Sequence, residues 1–404
     1  MEEKSVNQNY QKYINARLVR KQLYLNGPIS RIDIAQNLGL TTPAIGAIVA
    51  PLLASGLVRE KPDTDRSTGA GRPRLMLEFV PEAYYICGVE LGPYYTNFAL
   101  TDLCGHLVAS RKTKQPMDMY DKTMPRLKQE IGVFLREHFQ DFSRILGVGL
   151  VMPGLVDGQE GRIYTTFREG WTEHDPAAEL AEELGLPVYI ENNVRAKVIA
   201  TSIFDRMVTE EPFAYLSVYY GVACQMIMGD QILYGNNAAA GEIGHMVVQR
   251  GGPVCTSCGN RGCLEAVAGE RAILTRCREK MQATAGCLLW RHCDTPEDLT
   301  MEAVLSAQRE GDPVVEEIMA DAMEYLGIAL ANIINLISPK SVVVDGRLFR
   351  LPKNRKMLLA AAEDNMFMMH RTKTKVKFLE HDALRGARGA AALVVKELLT
   401  NGKR

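Results

Sequence analysis

The spacing of apolar residues changes near residue 80, and this change restricts the fold of the 404-residue chain more than any other feature. Before it, Ile45, Val49 and Leu52 recur at the intervals of an amphipathic helix. After it, short apolar runs such as residues 85–92 and 146–151 end in turns and alternate with helical stretches. The change predicts a small helical domain followed by a larger α/β part, and the chain length favours two or three domains.

Two short helices joined by a tight turn are predicted ahead of residue 57. Ser30 followed by Asp33 is a capping-box pattern at the start of the first helix, and Gly39 is placed to end it. Thr41 or Thr42 can cap the second helix. A further helix expected just before these two completes the helix-turn-helix pattern of DNA-binding proteins.

The second helix is the one expected to enter the major groove of duplex DNA. Pro51 is expected to bend it, because proline lacks the backbone N–H of a helix interior. The side chains at its start have little capacity to hydrogen-bond base edges, so we expect phosphate contacts to supply much of the affinity. The positions expected to face DNA are Thr41, Thr42, Pro43, Ala44, Gly46 and Ala47.

A polar segment, residues 61–71, follows the second helix and is interpreted as the wing of a winged helix-turn-helix. Arg66, Arg72 and Arg74 are predicted to contact DNA, the last two as a Gly-Arg-Pro-Arg run in an A·T-rich minor groove. Residues 1–80 hold eleven Lys and Arg against seven Asp and Glu, which is a mild excess. The alternative interpretation of this part is a small protein-interaction module.

The composition is that of an ordinary globular protein, with 47% hydrophobic and 24% charged residues and a formal net charge of −1. No stretch reaches the roughly 18 uninterrupted apolar residues of a membrane-spanning helix. The first residues lack the apolar core of a secretory signal. Most of the nine cysteines lie singly in apolar segments, which indicates a reducing compartment. These features predict a cytoplasmic protein without membrane insertion.

Six motifs follow one another in the larger part: residues 90–92, 101–105, 152–157, 191–193, 241–245 and 258–265. In these motifs and their order the chain resembles the ROK family, named for repressors, open reading frames and kinases. The resemblance implies an α/β fold with a winged helix-turn-helix at residues 1–80, followed by a two-lobed actin/hexokinase-like (ribonuclease H-like) domain. The first lobe is expected at residues 81–193, completed by a C-terminal helix at 384–404, and the second lobe at residues 194–383.

Sugar-kinase activity is not expected, although kinases belong to the family. Hexokinase-type phosphoryl transfer needs a carboxylate beside the attacking hydroxyl and turns that hold the phosphates. The family kinases carry Asn-Asp where this chain has Asn192 and Asn193, and a carboxamide cannot accept the proton. This chain also places Pro93 and Tyr94 in the first phosphate turn, and Asp345 where a glycine is usual. The kinase-like domain is therefore predicted to sense a ligand without being an enzyme.

Four potential metal ligands lie close together in the sequence. His245, Cys255, Cys258 and Cys263 offer one imidazole and three thiolates, the donor set of a tetrahedral structural zinc site. One residue more than in the family pattern separates the first two cysteines, but Cys-x-x-Cys is itself a common zinc-binding spacing. Because four protein ligands leave no open coordination position, we expect a structural Zn²⁺. The alternative is a set of reduced thiols in a flexible, glycine-rich loop.

The resemblance also implies which residues bind the ligand. They are Pro153, Gly154, Asn192, Asn193, Glu242, His245 and Glu265. Amide and carboxylate groups of this kind can recognise several hydroxyl groups at once, so the expected effector is a sugar or a sugar phosphate.

Together these features predict a homodimeric or tetrameric repressor of carbohydrate genes that binds operator DNA and releases it when the effector binds. The first alternative is a regulator controlled by a sugar-transport protein instead of a sugar. The others are a constitutive architectural DNA-binding protein and an active sugar kinase.

Overall fold

The computed structural model describes residues 2–63, 74–207, 212–229, 231–283, 286–368 and 373–402. The chain divides into two compact units. The first contains the residues up to Met207 together with those from Leu384 onward, and the second contains residues 208–383.

The first unit begins with three helices and a β-hairpin, the arrangement of a winged helix-turn-helix. Its elements are α1 (Glu2–Asn26), β1 (Ile29–Ser30), α2 (Arg31–Leu38), α3 (Thr42–Ala54), β2 (Val58–Pro62) and β3 (Leu75–Phe79). Ser30 caps α2 by accepting a hydrogen bond from the Asp33 N–H at 3.2 Å. Gly39 ends α2 with a φ of 64°, and Thr41 caps α3. These contacts confirm the predicted starts of both helices and the predicted end of the first.

The hairpin of β2 and β3 forms the wing. The two strands pair antiparallel from Val58 opposite Phe79 to Pro62 opposite Leu75, and β1 pairs with the other edge of β3. Residues 64–73, with the predicted DNA contacts Arg66 and Arg72, lie outside the described residues. Pro51 lies inside α3, which continues to Ala54.

The remainder of the first unit is built on a five-stranded sheet with the strand order β10-β7-β4-β5-β6. The strands β4, β5 and β6 form an antiparallel meander, and β7 and β10 add parallel strands beyond β4. The apolar runs noted at residues 85–92 and 146–151 are the strands β4 and β7 of this sheet. The elements are β4 (Tyr85–Leu91), β5 (Thr96–Asp102), β6 (Leu107–Thr113), α4 (Tyr120–Arg136), β7 (Ile145–Met152), β8 (Leu155–Asp157), β9 (Arg162–Thr165), α5 (Pro176–Leu184), β10 (Val188–Asn192), α6 (Asn193–Ile203) and the C-terminal α12 (Arg385–Asn401).

Two glycines let α12 pack directly on this sheet. A Cβ added to Gly88 of β4 would lie 1.9 Å from the carbonyl oxygen of Ala387, and one added to Gly149 of β7 would lie 1.9 Å from that of Ala390. The same helix packs against α6. The first unit therefore includes α6 and extends to Met207, beyond residue 193, at which the first lobe was expected to end.

The winged helix-turn-helix and the five-stranded sheet share one hydrophobic core. Val19 and Leu23 of α1 and Ile45 of α3 are fully buried in the same cluster as Ile86 of β4 and Val395 of α12. Burial of such side chains away from water stabilises the packed arrangement by about 1.5–3 kcal/mol each. The N-terminal part is thus packed on the sheet and is not joined to it by the chain alone.

Polar contacts reinforce the packing of α1. The guanidinium of Arg20 donates to the carbonyl oxygens of Leu399 at 3.0 Å and Thr400 at 2.6 Å, in the last turn of α12. These carbonyl groups have no donors within their own helix, and a cation is favourable at a helix C-terminus. The hydroxyl of Tyr24 donates to the Leu103 carbonyl at 2.6 Å. Arg20 and Tyr24 therefore fix α1 at two separate points.

The second unit contains a five-stranded sheet with the order β13-β12-β11-β14-β15. The strands β11, β14 and β15 are parallel, and β12 runs antiparallel to β11. Helices with apolar faces form its core. The elements are β11 (Phe213–Val218), β12 (Val222–Met228), β13 (Gln231–Ile232), α7 (Leu264–Ala268), α8 (Glu270–Ala283), α9 (Met301–Arg309), α10 (Pro313–Ile337), β14 (Ser341–Asp345), α11 (Pro352–Asn365) and β15 (Lys375–Phe378).

The helix α10 is long and apolar enough to cross a membrane by length and composition, with a mean hydropathy of 1.3 in its most apolar window. In the structure its Leu326, Leu330 and Ile334 are fully buried in the core of the second unit. The core helix of a soluble protein passes the same test, and the packing of α10 is of that kind.

Candidate functional site

The start of α3 presents the expected DNA-facing side chains at the surface. The exposed positions are Thr41, Thr42, Pro43 and Ala47, and the half-buried positions are Ala44 and Gly46. In contrast, Ile45 and Val49 are completely buried on the opposite face. Since α3 carries no charged side chain, positive charge for phosphate contacts must come from neighbouring elements.

The described part of the wing supplies such charge. Arg59 and Lys61 of β2 both pair with Glu78 of β3, at 2.7 and 2.5 Å, and their side chains remain 59% and 46% exposed. Sequence reasoning did not identify these two cations. Arg74 pairs with Asp33 at 2.9 Å, so its guanidinium lies against the start of α2.

His245, Cys255, Cys258 and Cys263 form a compact cluster in the second unit. Their potential ligand atoms all lie within 4.8 Å of one another. The Sγ of Cys255 is 3.8 Å from Nδ1 of His245, and the Sγ atoms of Cys258 and Cys263 are 3.6 Å apart. A tetrahedral site with Zn–S bonds of about 2.3 Å holds its sulfur atoms roughly 3.8 Å apart. The four side chains therefore fit a zinc ion.

A tight backbone arrangement brings these ligands together. An antiparallel bridge pairs Val247 with Cys263, close to the short 3-10 helix that ends at His245. Gly262 has a φ of 77°, and a Cβ there would lie 1.7 Å from the carbonyl oxygen of Gln249. Only glycine fits this position, so the glycine-rich sequence of the loop has a structural cause.

The three thiols differ in their tendency to ionise. Burial raises the pKa of the Cys263 thiol to about 12, and it also raises the pKa of Cys255. The backbone N–H of Asn260 lowers the pKa of the exposed Cys258 thiol. Because zinc binds thiolates, a bound cation would stabilise the deprotonated forms that burial disfavours.

Glu265 and Glu242 are held next to this cluster. The Sγ of Cys255 donates to Oε1 of Glu265 at 3.3 Å. The backbone carbonyl of Glu242 accepts from the His245 N–H at 3.1 Å. The three expected ligand-binding residues of the second unit are thus connected to the cluster, Glu265 through its carboxylate and Glu242 through its backbone.

The neighbouring asparagines at the start of α6 have different environments. The Oδ1 of Asn192 accepts from the backbone N–H groups of Val194 and Arg195 at 2.8 and 3.2 Å. Its Nδ2 donates to the Gly154 carbonyl at 2.8 Å. Asn192 therefore caps α6 and fixes the turn after β7. The carboxamide of Asn193, which is half-buried, makes no hydrogen bond within the described residues.

A buried ion pair supports this corner of the first unit. The Nε of Arg195 lies 2.9 Å from Oε1 of Glu191, and their side chains are 1% and 2% exposed. Arg195 also donates to the carbonyl of Val156 in β8. Sequence reasoning missed this pair, although opposite charges four residues apart at a strand-to-helix junction were a usable signal.

The turn after β4 is closed by its own backbone. The Gly92 N–H donates to the Tyr95 carbonyl at 3.0 Å. Pro93 has no N–H, and the Tyr94 side chain is 56% exposed. Neither Gly92 nor Pro93 therefore offers a free backbone donor to a phosphate.

In the second unit, polar side chains fill the ends of two neighbouring strands, β11 and β14. The carboxylate of Asp345 is fully buried and accepts from the hydroxyl groups of Tyr215 at 2.7 Å and Tyr219 at 2.8 Å. Beside it, Arg347 makes a bidentate pair with Glu270 at 2.9 and 3.0 Å. A buried carboxylate at the carboxyl ends of these strands is unfavourable to a nucleotide phosphate.

The predicted ligand-binding residues thus form two groups. Pro153, Gly154, Asn192 and Asn193 belong to the first unit, and Glu242, His245 and Glu265 belong to the second. In the first unit, Asn192 and Gly154 are joined by a hydrogen bond at the cap of α6, and in the second unit Glu265 contacts the Cys/His cluster.

Comparison with known proteins identifies the protein class. Residues 86–397 match the ROK family model. The chain belongs to the ROK family. Among curated relatives, the xylose repressor of Bacillus subtilis is 28% identical over 345 residues, covering 83% of each chain. The transcriptional dual regulator NagC of Escherichia coli is 27% identical over 392 residues, covering 96% of this chain and 94% of NagC.

Solved structures of ROK proteins show the same fold. A ROK family transcriptional regulator, described as a homologue of the E. coli MLC protein, has a TM-score of 0.83 at 25% identity and covers 97% of both chains. A ROK family glucokinase from Streptomyces griseus has a TM-score of 0.66 at 21% identity. It covers 76% of this chain and 98% of its own. The fold expected from the resemblance, a winged helix-turn-helix followed by an actin/hexokinase-like domain, is confirmed.

Proposed function

We propose that this ROK protein is a sugar-responsive DNA-binding repressor of carbohydrate genes, in which the kinase-like part senses a ligand. The observation that carries the proposal is the winged helix-turn-helix built into the core of the first unit. The ROK regulator of solved structure and NagC cover 97% and 96% of this chain, whereas the glucokinase covers 76% of it. The N-terminal part is therefore what the chain has in common with regulators.

DNA recognition is proposed to use α3 and the wing. The start of α3 would enter the major groove with Thr41, Thr42, Pro43, Ala44, Gly46 and Ala47. Because this surface is uncharged, Arg59 and Lys61 would contribute phosphate contacts, which give affinity without sequence preference. Arg66, Arg72 and Arg74 remain the proposed minor-groove contacts of the wing, and Arg74 would exchange its ion pair with Asp33 for DNA.

Sugar recognition is proposed to use both groups of ligand-binding residues. Asn193 has a carboxamide with no partner of its own within the described residues, so it is available to bind a hydroxyl group. Glu242 and Glu265 would accept from hydroxyl groups in the second unit. Asn192 and Gly154 would act as positioning residues, since the Asn192 carboxamide is used by the helix cap and by the Gly154 carbonyl.

The protein is proposed to lack kinase activity. Asn193 cannot take a proton from a sugar hydroxyl, Pro93 removes a donor from the first phosphate turn, and Asp345 puts a carboxylate where a glycine is usual in the family kinases. The first change removes the base, and the other two disfavour the nucleotide phosphates. Reversal of one of them would therefore not restore turnover.

A zinc ion is proposed as a structural cofactor. His245, Cys255, Cys258 and Cys263 would hold it with no coordination position left for substrate. Bound zinc would neutralise thiolate charge and would order the loop. The protein residues themselves connect the cluster to the proposed sugar-binding groups. The Glu265 carboxylate contacts Cys255, and the His245 N–H donates to the backbone carbonyl of Glu242.

A route for the signal exists within the first unit. The helix α12 packs against α6, which begins at Asn193, and against α1 of the winged helix-turn-helix. A ligand that favours one arrangement of α6 would change the population of DNA-binding states by its differential affinity. In a cytoplasmic homodimer or tetramer, such a change would alter the spacing of two DNA-binding parts.

Selection of DNA from a random duplex pool by the full-length protein, followed by fluorescence anisotropy on the selected sequence, tests the proposal. We expect one or more members of a panel of sugars and sugar phosphates to weaken DNA binding. The variants Asn193→Ala and Glu242→Gln should bind DNA normally but lose this response, and Glu279→Gln, at an exposed position of α8, is the matched control.

The outcomes separate the alternatives. Failure to select any sequence would refute the repressor function. Tight DNA binding that no sugar alters would instead favour control by a sugar-transport protein.

A further inference from the structure

The second unit contains a cavity of about 370 Å³ whose chemistry the proposed function does not use. Its wall is formed by Arg350, Arg355, Glu380 and His381. Arg350 ends a short 3-10 helix just before α11, Arg355 lies in the first turn of α11, and the other two residues follow β15. The cavity shares no residue with the Cys/His cluster or with the proposed sugar-binding groups. Its volume is in the range of pockets that hold small metabolites.

Both arginines are anchored along one edge only. The Nη1 of Arg350 donates to both carboxylate oxygens of Glu302 at 2.7 Å. The Nε of Arg355 donates to the Phe349 carbonyl, and its guanidinium lies 5.4 Å from the centre of the Phe378 ring. The other N–H groups of the two side chains make no hydrogen bond within the described residues. Guanidinium groups held in this way present donors that match phosphate oxygens.

His381 provides a second, independent sign of a ligand. Its Nδ1 is buried but has no hydrogen-bond partner within the part of the chain that the structure describes. Burial and the nearby Arg347 lower the pKa of His381, so the ring is neutral at pH 7. An unpaired buried ring nitrogen is unfavourable, and a ligand atom in the cavity would remove this cost.

The charges around His381 are of both signs. Arg347 and Arg350 oppose its protonation, while Asp345 and Glu302 favour it. At the cavity wall itself lie two guanidinium groups and the carboxylate of Glu380, and Glu302 pairs with one of the two guanidinium groups. The wall therefore offers an anion hydrogen-bond donors and not an excess of positive charge.

We propose that this cavity binds a small phosphate monoester that also carries a hydroxyl group. The phosphate oxygens accept from Arg350, Arg355 and Nδ1–H of His381. The hydroxyl donates to Glu380, which would otherwise repel the anion. Through such a site the protein would bind phosphorylated metabolites at residues separate from those proposed to bind the sugar. It depends on neither DNA binding nor the sugar response.

Isothermal titration calorimetry of the full-length protein tests the site, with glycerol 3-phosphate as the probe and with glycerol and inorganic phosphate as comparisons. We expect glycerol 3-phosphate to bind more tightly than inorganic phosphate, and glycerol not to bind. Arg350→Gln and Arg355→Gln should each weaken binding at least about tenfold, because each removes a charge-assisted hydrogen bond. Arg309→Gln, an equal loss of charge at an exposed position of α9, should change it less than about twofold.

Arg350→Gln keeps the test interpretable if Arg355→Gln unfolds, since within the described residues Arg350 loses only its exposed ion pair with Glu302. Imidazole NMR spectra provide a second measurement. On addition of glycerol 3-phosphate, the pKa of His381 should rise, because a bound anion stabilises the imidazolium. The proposal is overturned if the wild-type protein does not bind the probe, if all variants bind it equally, or if only other histidines respond.

Discussion

Replacement of Cys258 by serine is expected to remove zinc and to destabilise the second unit. Cys258 is exposed, and a substitution at such a position ordinarily changes the free energy of unfolding by less than about 0.5 kcal/mol. As a ligand, however, it supplies one of the three thiolates of the cluster. If its loss weakens zinc binding about 1,000-fold, a zinc-saturated protein loses about 4 kcal/mol of stability.

Cys277 is the matched control for this variant. It is fully buried in α8 of the same unit and does not belong to the cluster. Packing alone would make Cys277→Ser the more harmful change, because a hydroxyl placed in an apolar core costs about 1–3 kcal/mol. Zinc ligation reverses this order, so the two serine variants distinguish the two effects.

Metal analysis and thermal unfolding, with and without a chelator, measure both effects. The wild-type protein and Cys277→Ser should each contain one zinc per chain and lose stability when the chelator is added. Cys258→Ser should contain little zinc and should not respond to the chelator. Full zinc occupancy in Cys258→Ser, or a smaller loss of stability than in Cys277→Ser, would refute the assignment of the ligands.

Three further predictions concern the rest of the chain. Leu23→Ala should lower the free energy of unfolding by about 2–5 kcal/mol in chemical denaturation, because it leaves a cavity in the shared core. The control Leu18→Ala, at an exposed position, should lower it by less than about 0.5 kcal/mol. Arg72→Ala combined with Arg74→Ala should weaken DNA binding and reduce its salt dependence in gel shifts; no change would exclude the minor-groove arm. Neither the wild-type protein nor Asn193→Asp should release ADP in a coupled assay with sugars and ATP, and turnover near 1–100 s⁻¹ would contradict the absence of kinase activity.

Features set by neighbouring residues could be predicted from the sequence. The cap at Ser30, the end of α2 at Gly39 and the start of α3 at Thr41 each depend on residues at most four positions apart. The Cys/His cluster is similarly local, since its ligands lie on one short loop. Such signals are reliable because the backbone N–H and C=O groups at a helix end have few alternative hydrogen-bond partners.

Features that join distant parts of the chain were not predictable in this way. Nothing in the sequence of α1 indicates that Arg20 bonds the last turn of α12, almost four hundred residues later. The core shared with α12 and the extension of the first unit through α6 also depend on contacts between distant parts of the chain. The cavity beside His381 also escaped prediction, because its arginines and its histidine are separated by β15. Tertiary packing decides these contacts, and a single sequence does not encode the partners in a readable pattern.

Asn192 and Asn193 belong to one sequence motif, but their side chains have different roles in the structure. Both were predicted to bind the ligand, on the same three-residue motif. In the structure, Asn192 caps α6 and holds the Gly154 carbonyl, so its replacement would disturb the turn whether or not a ligand binds. Asn193 makes no such contact within the described residues, so its replacement should affect ligand binding alone. A carboxamide at Asn193 can donate to and accept from a sugar hydroxyl but cannot remove its proton, and recognition without phosphoryl transfer is what a sensor built on a kinase fold requires.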